Sequence, residues 1–200
     1  MKILAFVDMH SSYSSLAAII KKSAECDMIV CAGDISEFER NIDHLMYKLA
    51  ALQKQVLIIP GNHESGEGLR QLCKSHENIF YLNGKIFETG NHIFAGIDGN
   101  GFAMRDAQFE IKAREVEKSI EKKRTTDSRL VVVTHAAPYK TRLDLLFGKH
   151  HGNESVRGFI ERLRPNIAVC GHFHENQGKQ DKIGNSLIIN PGHDGRIVEI

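Results

Sequence analysis

The sequence lacks several features that mark particular classes of protein. It contains no tryptophan and no basic stripe interleaved with aromatic residues, which disfavours a nucleic-acid-binding surface and therefore a nuclease. Its formal net charge is only +1, so it has no general field for attracting nucleic acid or an anionic membrane. No apolar stretch approaches the roughly 18 residues of a membrane span. Any attraction for phosphate must therefore come from a local site.

Cysteines are few and unpaired in the sequence. The four of them form no Cys-x-x-Cys motif, and three fall beside or inside apolar stretches: Cys26, Cys31, Cys73 and Cys170. This pattern predicts reduced, buried thiols in an intracellular protein. The first apolar stretch is too short for a signal peptide and ends in Asp8 and His10. We therefore expect a cytoplasmic protein.

The apolar residues that are present predict an α/β protein. The chain of 200 residues suits a single domain over 1–200, with 42% apolar residues and no internal repeat or linker. Short apolar stretches predict buried strands at 2–7, 28–32, 55–60, 91–97, 129–135, 166–171, 186–190 and 196–200. Helical spacing of apolar residues predicts helices near 14–22, 42–52, 107–123 and 155–164. Strands that alternate with helices indicate parallel pairing, and the strand-rich second part favours two packed sheets with helices outside.

Polar residues that can bind metals follow most of these strands. They are Asp8 and His10, Asp34, Asn62 with His63, His135, and His172 with His174. Because the carboxyl ends of strands in an α/β sheet share one edge, we expect these residues to converge there. Taken singly, each has a plain structural interpretation, such as a turn, a helix cap or a buried histidine. His172 and His174 are a stronger indication, because alternate residues of an extended segment point to the same side. The complete ordered set at strand ends favours a metal site instead.

The ligand types limit the metal chemistry. Nitrogen and oxygen ligands without thiolate suit Mn²⁺, Fe, Zn²⁺, Ni²⁺ or Co²⁺. The inventory is too large for one ion but can serve two divalent ions if one carboxylate bridges them. Two such ions bring four positive charges, of which Asp8 and Asp34 offset two. The centre therefore stays cationic and can attract a phosphate ester.

The motifs DMH, GD, GNHE, TH and GHFH, in this order, resemble those of the calcineurin-like metallophosphoesterases. The similarity runs from residue 3 to about 193. More narrowly, the segments THAAPYKTRLD, HHGNESVRGFIERLRP, CGHFHE and NPG are similar to the small prokaryotic Icc-like predicted phosphoesterases. The resemblance implies a four-layer αββα sandwich, two mixed β-sheets flanked by helices, with metals at the strand ends.

The resemblance also implies roles for individual residues. Asp8, His10 and His174 would bind the first metal; Asn62, His135 and His172 would bind the second; and Asp34 would bridge them. A hydroxide that bridges the ions would attack phosphorus, and His63 would protonate the leaving oxygen. Glu37 occupies the position of an acid that orients this histidine in relatives, although relatives usually have Asp there. The alternative is that Glu37 has no catalytic role and is an acidic residue at the start of a helix, where a negative charge is favourable.

The expected activity is hydrolysis of a small phosphate ester, such as a nucleotide. A phosphodiester is preferred because the chain is compact and shows no obvious capping domain. The alternatives are a phosphomonoesterase or nucleotide pyrophosphatase, and, in another class, a metal-containing binding module on the same fold. The sequence determines neither the oligomeric state nor the roles of three further histidines. Two alternatives stay open for His150 and His151, which either line the pocket or lie on a solvent loop, with Asn153 capping the next helix. His193 is a candidate for contact with the outer shell of the metals or with the substrate.

Overall fold

The structure is a computed structural model, and it describes residues 1–99 and 101–200. Asn100, to which the sequence assigns no role, lies outside the described residues. The five α-helices that the described residues form are α1 (Tyr13–Ser23), α2 (Ile42–Ala50), α3 (Gly66–Lys74), α4 (Ala107–Lys123) and α5 (Glu154–Leu163). Among these residues no helix is both long enough and apolar enough to cross a membrane.

The strands form two large mixed sheets. The first sheet contains β1 (Lys2–Phe6), β2 (Met28–Cys31), β3 (Gln55–Ile58), β4 (Ile79–Tyr81) and β13 (Arg196–Glu199). The second sheet contains β5 (Lys85–Thr89), β6 (His92–Ile97), β7 (Arg129–Thr134), β10 (Ile167–Val169), β11 (Gln180–Ile183) and β12 (Ser186–Ile189). The strand order is β13-β1-β2-β3-β4 in the first sheet and β11-β12-β10-β7-β6-β5 in the second. A small hairpin pairs β8 (Leu145–Leu146) with β9 (Lys149–His150).

The central strands of both sheets are parallel. In the first sheet β1 to β4 run parallel and β13 is antiparallel. In the second sheet β6, β7, β10 and β12 run parallel, with β5 and β11 antiparallel at the edges. The parallel strands of each sheet therefore end at one edge, which is where polar residues follow them in the sequence.

Alternation along the strands explains the four layers. On β1, Ile3 and Ala5 face a core shared by the two sheets, while Leu4 and Phe6 face α1 to α3. The second sheet packs its other face on α4 and α5 through Phe109 and other apolar residues. Strands buried on both faces read as continuous apolar runs, as the sequence has them. The αββα sandwich predicted from the sequence is confirmed. A single domain over 1–200 stays a prediction, supported by the core that both sheets share.

The sequence interpretation missed α3. This helix reads GEGLRQLCK, and its two glycines weaken helix propensity. Its formation depends on Ser65, whose side chain accepts a hydrogen bond from Gly68 N, and on burial of Leu69 and Cys73 against the first sheet. All four cysteines are free and buried, as expected from the apolar stretches around them.

Candidate metal centre

The residues expected to bind metal converge at the carboxyl ends of strands from both sheets. The contributing strands are β1, β2 and β3 of the first sheet and β7 and β10 of the second. Within each sheet, loops that follow neighbouring strands are hydrogen-bonded to each other there. Asp8 N donates to Gly33 O at 3.1 Å, and Gly171 N donates to His135 O at 2.9 Å. The side chains of seven residues meet at this edge: Asp8, His10, Asp34, Asn62, His135, His172 and His174.

One group comprises Asp8, His10 and His174. One ligand atom from each lies within 4.8 Å of the other two. The Nε2 atoms of His10 and His174 are 3.0 Å apart, and His174 Nε2 lies 3.9 Å from Asp8 Oδ1. At most one proton can lie between the two facing nitrogens, so the other nitrogen presents a lone pair. Two imidazoles and a carboxylate in this arrangement suit a divalent ion.

A second group surrounds Asn62. Its Oδ1 lies 3.0 Å from His135 Nε2 and 3.0 Å from His172 Nδ1. Asp34 lies between the two groups, with Oδ2 at 3.3 Å from His135 Nε2 and 3.8 Å from His10 Nε2. Asp8, Asp34 and His135 also form a set of atoms within 4.8 Å. This position supports Asp34 as the bridging ligand, and the full ligand assignment stays a prediction.

Several ligands are held in the left-handed backbone region. The φ angles are 55° at Asp8, 47° at His10, 50° at Asp34 and 72° at His172. Such angles are uncommon for residues with a Cβ and concentrate at functional sites, where the surrounding structure offsets their cost. The chain turns sharply at each strand end, which brings side chains of successive residues into one centre.

The sequence interpretation of His172 and His174 needs a correction. It assumed an extended segment in which alternate residues point to the same side. The segment is not extended, because His172 has a φ of 72° and His174 begins a short 3₁₀ turn. The two rings nevertheless reach different groups, His172 at Asn62 and His174 at His10. Turn geometry rather than strand alternation separates them.

The interaction between two buried residues, Asp34 and His135, dominates the electrostatics of the centre. Burial alone would raise the pKa of Asp34, but the hydrogen bond and charge of His135 outweigh it and hold that pKa at about 2. Burial would lower the pKa of His135, whereas bonding to Asp34 raises it to about 9. Burial and repulsion from His135 lower the pKa of His172 to about 4. Asp34 is therefore ionised and His172 neutral at neutral pH, as ligands require.

His135 is oriented by the other sheet. Its Nδ1 lies 3.0 Å from Ala32 O, a carbonyl that can only accept, so Nδ1 carries a proton. Nε2 then faces Asp34 and Asn62. A hydrogen bond of this kind on one ring nitrogen is the usual way of aiming the other nitrogen at a metal.

Glu64 supports two of the loops, a role that sequence reasoning did not assign to it. Its buried carboxylate accepts from the backbone N–H groups of Asp34 at 3.0 Å, Ser36 at 2.9 Å and Gly61 at 3.0 Å. The Ser36 hydroxyl adds a fourth bond at 2.8 Å. Burial raises the pKa of this carboxyl, while these bonds oppose the shift. The only sequence signal was the acidic residue that closes GNHE.

His63 lies beside the ligands. Its backbone N–H donates to Asp34 Oδ1 at 2.9 Å, and its ring packs against His10 with centroids 4.6 Å apart. Glu37 Oε1 is 3.6 Å from His63 Nδ1, beyond hydrogen-bonding distance. Glu37 Oε2 is closer to His10 Nδ1, at 2.9 Å, although without the angle of a hydrogen bond. Glu37 therefore lies between the two histidines, in a loop before α2 and not at a helix start.

The three further candidate histidines, His150, His151 and His193, contact residues outside the set of seven expected ligands. His150 Nδ1 pairs with the buried Asp144 at 2.8 Å, and His151 is exposed. This arrangement supports the loop alternative, and Asn153 caps α5 by accepting from Val156 N, as expected. His193 contacts Ser15 and Asp194.

A cavity of about 330 Å³ opens beside the centre. Asp34, Asn62, His63 and His172 contribute its polar wall, and Phe102, Leu146 and Phe173 contribute an apolar wall. Its volume is at the lower end of ligand sites in proteins, which suits a small ester. The nitrogen and oxygen donors of these groups are of the kinds that divalent ions bind.

Comparisons with known proteins agree with this geometry. A family model described as calcineurin-like phosphoesterase matches residues 1–176. An uncharacterized protein of Methanocaldococcus jannaschii, MJ1162, is 32% identical over 200 residues, covering 96% of this chain and 88% of that protein. A probable glycerophosphodiester phosphodiesterase of Arcobacter nitrofigilis is 22% identical over 84% of this chain and 64% of its own length. The solved structure of a dimetal phosphatase from Danio rerio has a TM-score of 0.69 at 14% identity, covering 94% and 86% of the two chains.

Proposed function

Because the chain belongs to the calcineurin-like phosphoesterase family, we propose that it is a phosphodiesterase with two divalent metal ions. Membership supports metal-dependent hydrolysis of phosphate esters. The observation that carries the proposal is the convergence of seven residues with nitrogen and oxygen donors, among which Asp34 lies within 4 Å of histidines from both groups. The preference for diesters rests on the similarity to a probable glycerophosphodiester phosphodiesterase.

In this proposal Asp8, His10 and His174 hold one ion, Asn62, His135 and His172 hold the other, and Asp34 contacts both. When bound, the ions supply an acidified water as nucleophile and offset the charge on phosphate. Mn²⁺, Fe, Zn²⁺, Ni²⁺ and Co²⁺ all suit these donors.

His63 is the proposed proton donor to the leaving oxygen. It lines the cavity next to Asp34 and Asn62. Its ring lies close to His10 and Glu37 in a further set of possible ligand atoms, but neither of the two proposed ligand groups uses it. The hydrogen bond from its backbone to Asp34 fixes its backbone beside that carboxylate. A proton donor placed this way contributes about 10²- to 10⁴-fold to the rate. Glu37, close to both His63 and His10, is proposed to orient His63.

The test is turnover of purified protein with added Mn²⁺ on a chromogenic phosphodiester and the matching monoester. We expect the diester to be hydrolysed faster. Turnover of the monoester alone would move the assignment to a phosphatase. No turnover of either ester, with two metals bound per chain, would favour a binding module on the same fold.

His63→Ala separates catalysis from metal binding. Since His63 is not in the ligand set, this variant should keep its metal content and lose at least about 100-fold in kcat. His135→Ala is the matched comparison, because it should lose metal and turnover together. Full turnover in His63→Ala would show that the assignment of the proton donor is wrong.

A further inference from the structure

Exposed phenylalanines are concentrated at the candidate centre. Three of the ten phenylalanines are mostly exposed: Phe38 at 74%, Phe102 at 79% and Phe147 at 98%. Two of them contact histidines of the centre. The Phe102 ring is edge-on to His172 with centroids 4.6 Å apart, and the Phe38 ring is tilted against His63 at 4.2 Å. Apolar side chains held in water beside polar groups of a site indicate a surface that a ligand covers.

Phe102 and Phe38 differ in their relation to the cavity. Phe102 lines the cavity together with Leu146 and Phe173. Phe38 is not part of that wall and packs on His63. The cavity is therefore polar where phosphate would lie and apolar beside it, with an aromatic ring at the boundary.

A second cavity, of about 470 Å³, continues on from Phe102. The two cavities share Asn62 and Phe102 in their walls, and the second adds polar side chains including Gln108 and Lys112. A planar group that stacks on Phe102 would therefore have hydrogen-bonding groups near its edge. This combination suits a nucleobase better than an aliphatic chain, which needs no polar partners.

The loop that carries Phe102 is held against a metal ligand. A Cβ added at Gly101 would lie 2.5 Å from the His172 ring, so the backbone passes directly over that ring. This close approach requires glycine at position 101, and the next residue, Phe102, contacts the same ring.

We propose that Phe102 is a stacking surface for a planar aromatic group attached to the phosphate, with a nucleobase as its biological form. The proposal rests on the proposed function, because the phosphate must occupy the metal centre. It names the substrate class as nucleotide-like esters, and it assigns to Phe102 a role in specificity rather than in chemistry.

The test measures binding, which does not require turnover. Isothermal titration of the Mn²⁺-loaded protein would compare thymidine 5′-monophosphate, phenyl phosphate, 2-deoxyribose 5-phosphate and methyl phosphate. We expect thymidine 5′-monophosphate to bind roughly 10-fold more tightly than the two non-aromatic phosphates, a ratio typical of one base–aromatic stack. Phenyl phosphate that binds as tightly as the nucleotide would show that a nucleobase is not required, and would overturn the nucleotide-like class.

In Phe102→Ala, thymidine 5′-monophosphate should bind no more tightly than methyl phosphate, and the affinity for methyl phosphate should stay unchanged. Phe102→Leu keeps apolar volume and should restore only a small part of the difference. Tyr47→Ala, at an exposed aromatic residue on α2, should change neither affinity. Metal content is measured for each variant because Phe102 contacts His172.

The outcomes separate this proposal from the proposed function. Equal affinity for thymidine 5′-monophosphate and methyl phosphate, or an equal loss of both in Phe102→Ala, would overturn the stacking role even in an active diesterase. A Phe102-dependent preference in a protein that hydrolyses no ester would support the stacking role and contradict the diesterase assignment. Failure to bind any of the phosphates would overturn both.

Discussion

Gly61→Ala should damage the metal centre far more than its size suggests. A Cβ at this position would lie 2.1 Å from Asp34 Oδ1 and 2.6 Å from Asp34 N, and contacts below 3.0 Å essentially do not occur. The Asp34 carboxylate or the backbone of the two loops must therefore move by about 1 Å. Asp34 also accepts from His63 N and contacts His10 and His135, so this movement would disturb both ligand groups.

The expected magnitudes follow from that displacement. A misplacement of about 1 Å at reacting groups costs about 100-fold in rate, and overpacking costs about 1–3 kcal/mol of stability. We expect Gly61→Ala to lose at least about 100-fold in kcat and part of its metal content. Its free energy of unfolding should fall by only a few kcal/mol, so the protein stays folded. The assays are turnover with Mn²⁺, metal content by mass spectrometry and urea denaturation.

Gly158→Ala is the matched control for this prediction. Gly158 lies inside α5, and an added Cβ would meet only the flexible end of Arg162 at 3.2 Å. Replacing a glycine within a helix by alanine stabilises it by about 0.5–1 kcal/mol, so this variant should be as active as the wild type and slightly more stable. If Gly61→Ala kept its metals and turned over within about threefold of the wild type, the argument from close packing would be refuted.

Three further predictions concern charge at the centre. Metal binding at neutral pH should release about one proton per chain, because His135, with a pKa of about 9, must lose its proton to bind a metal. Calorimetry in buffers of different ionisation enthalpy measures the number of protons released. Metal binding without proton release would contradict this prediction. The metal-free protein should lose stability as pH rises from 6.5 through about 9, since the raised pKa of His135 stabilises the fold only while the ring is protonated. Urea denaturation across that pH range tests this prediction. A free energy of unfolding that does not change with pH would count against the interaction of His135 with Asp34. Glu64→Ala should lower the free energy of unfolding by about 3 kcal/mol or more in urea denaturation, because it leaves three buried backbone N–H groups without their acceptor, whereas Glu64→Gln should lose less; equal stability of the two variants would contradict this.

Much of the architecture could be predicted because strands that are buried on both faces appear in the sequence as continuous apolar stretches. Strands such as β2 and β7 are apolar on both faces, and the rule for parallel sheets then places Asp34 and His135 at one edge. Neither step depends on local backbone detail. The motif order added the remaining expected ligands, and the structure brings all seven of these residues together.

The features that were missed depend on contacts between distant segments. The glycines of α3 give its sequence a low helix propensity, although burial of Leu69 stabilises the helix. The backbone turns at His172, where the spacing of the two histidines suggested an extended segment. Glu64 acts through loops that come from two different strands. Phe102 is one phenylalanine among ten until the fold places it beside His172. No periodicity encodes such positions, because each is fixed by a neighbour far away in sequence.

The placement of the centre also links metal binding to the packing of the two sheets. Asp8, Asp34 and Asn62 follow strands of the first sheet, whereas His135 and His172 follow strands of the second. Ions held between them would join the sheets at this edge, where His135 Nδ1 already donates to Ala32 O of the other sheet. A ligand that binds the folded chain stabilises it by mass action, by about 2.7 kcal/mol at one hundred times its dissociation constant. Metal should therefore act on the whole αββα sandwich and raise the stability of both sheets together.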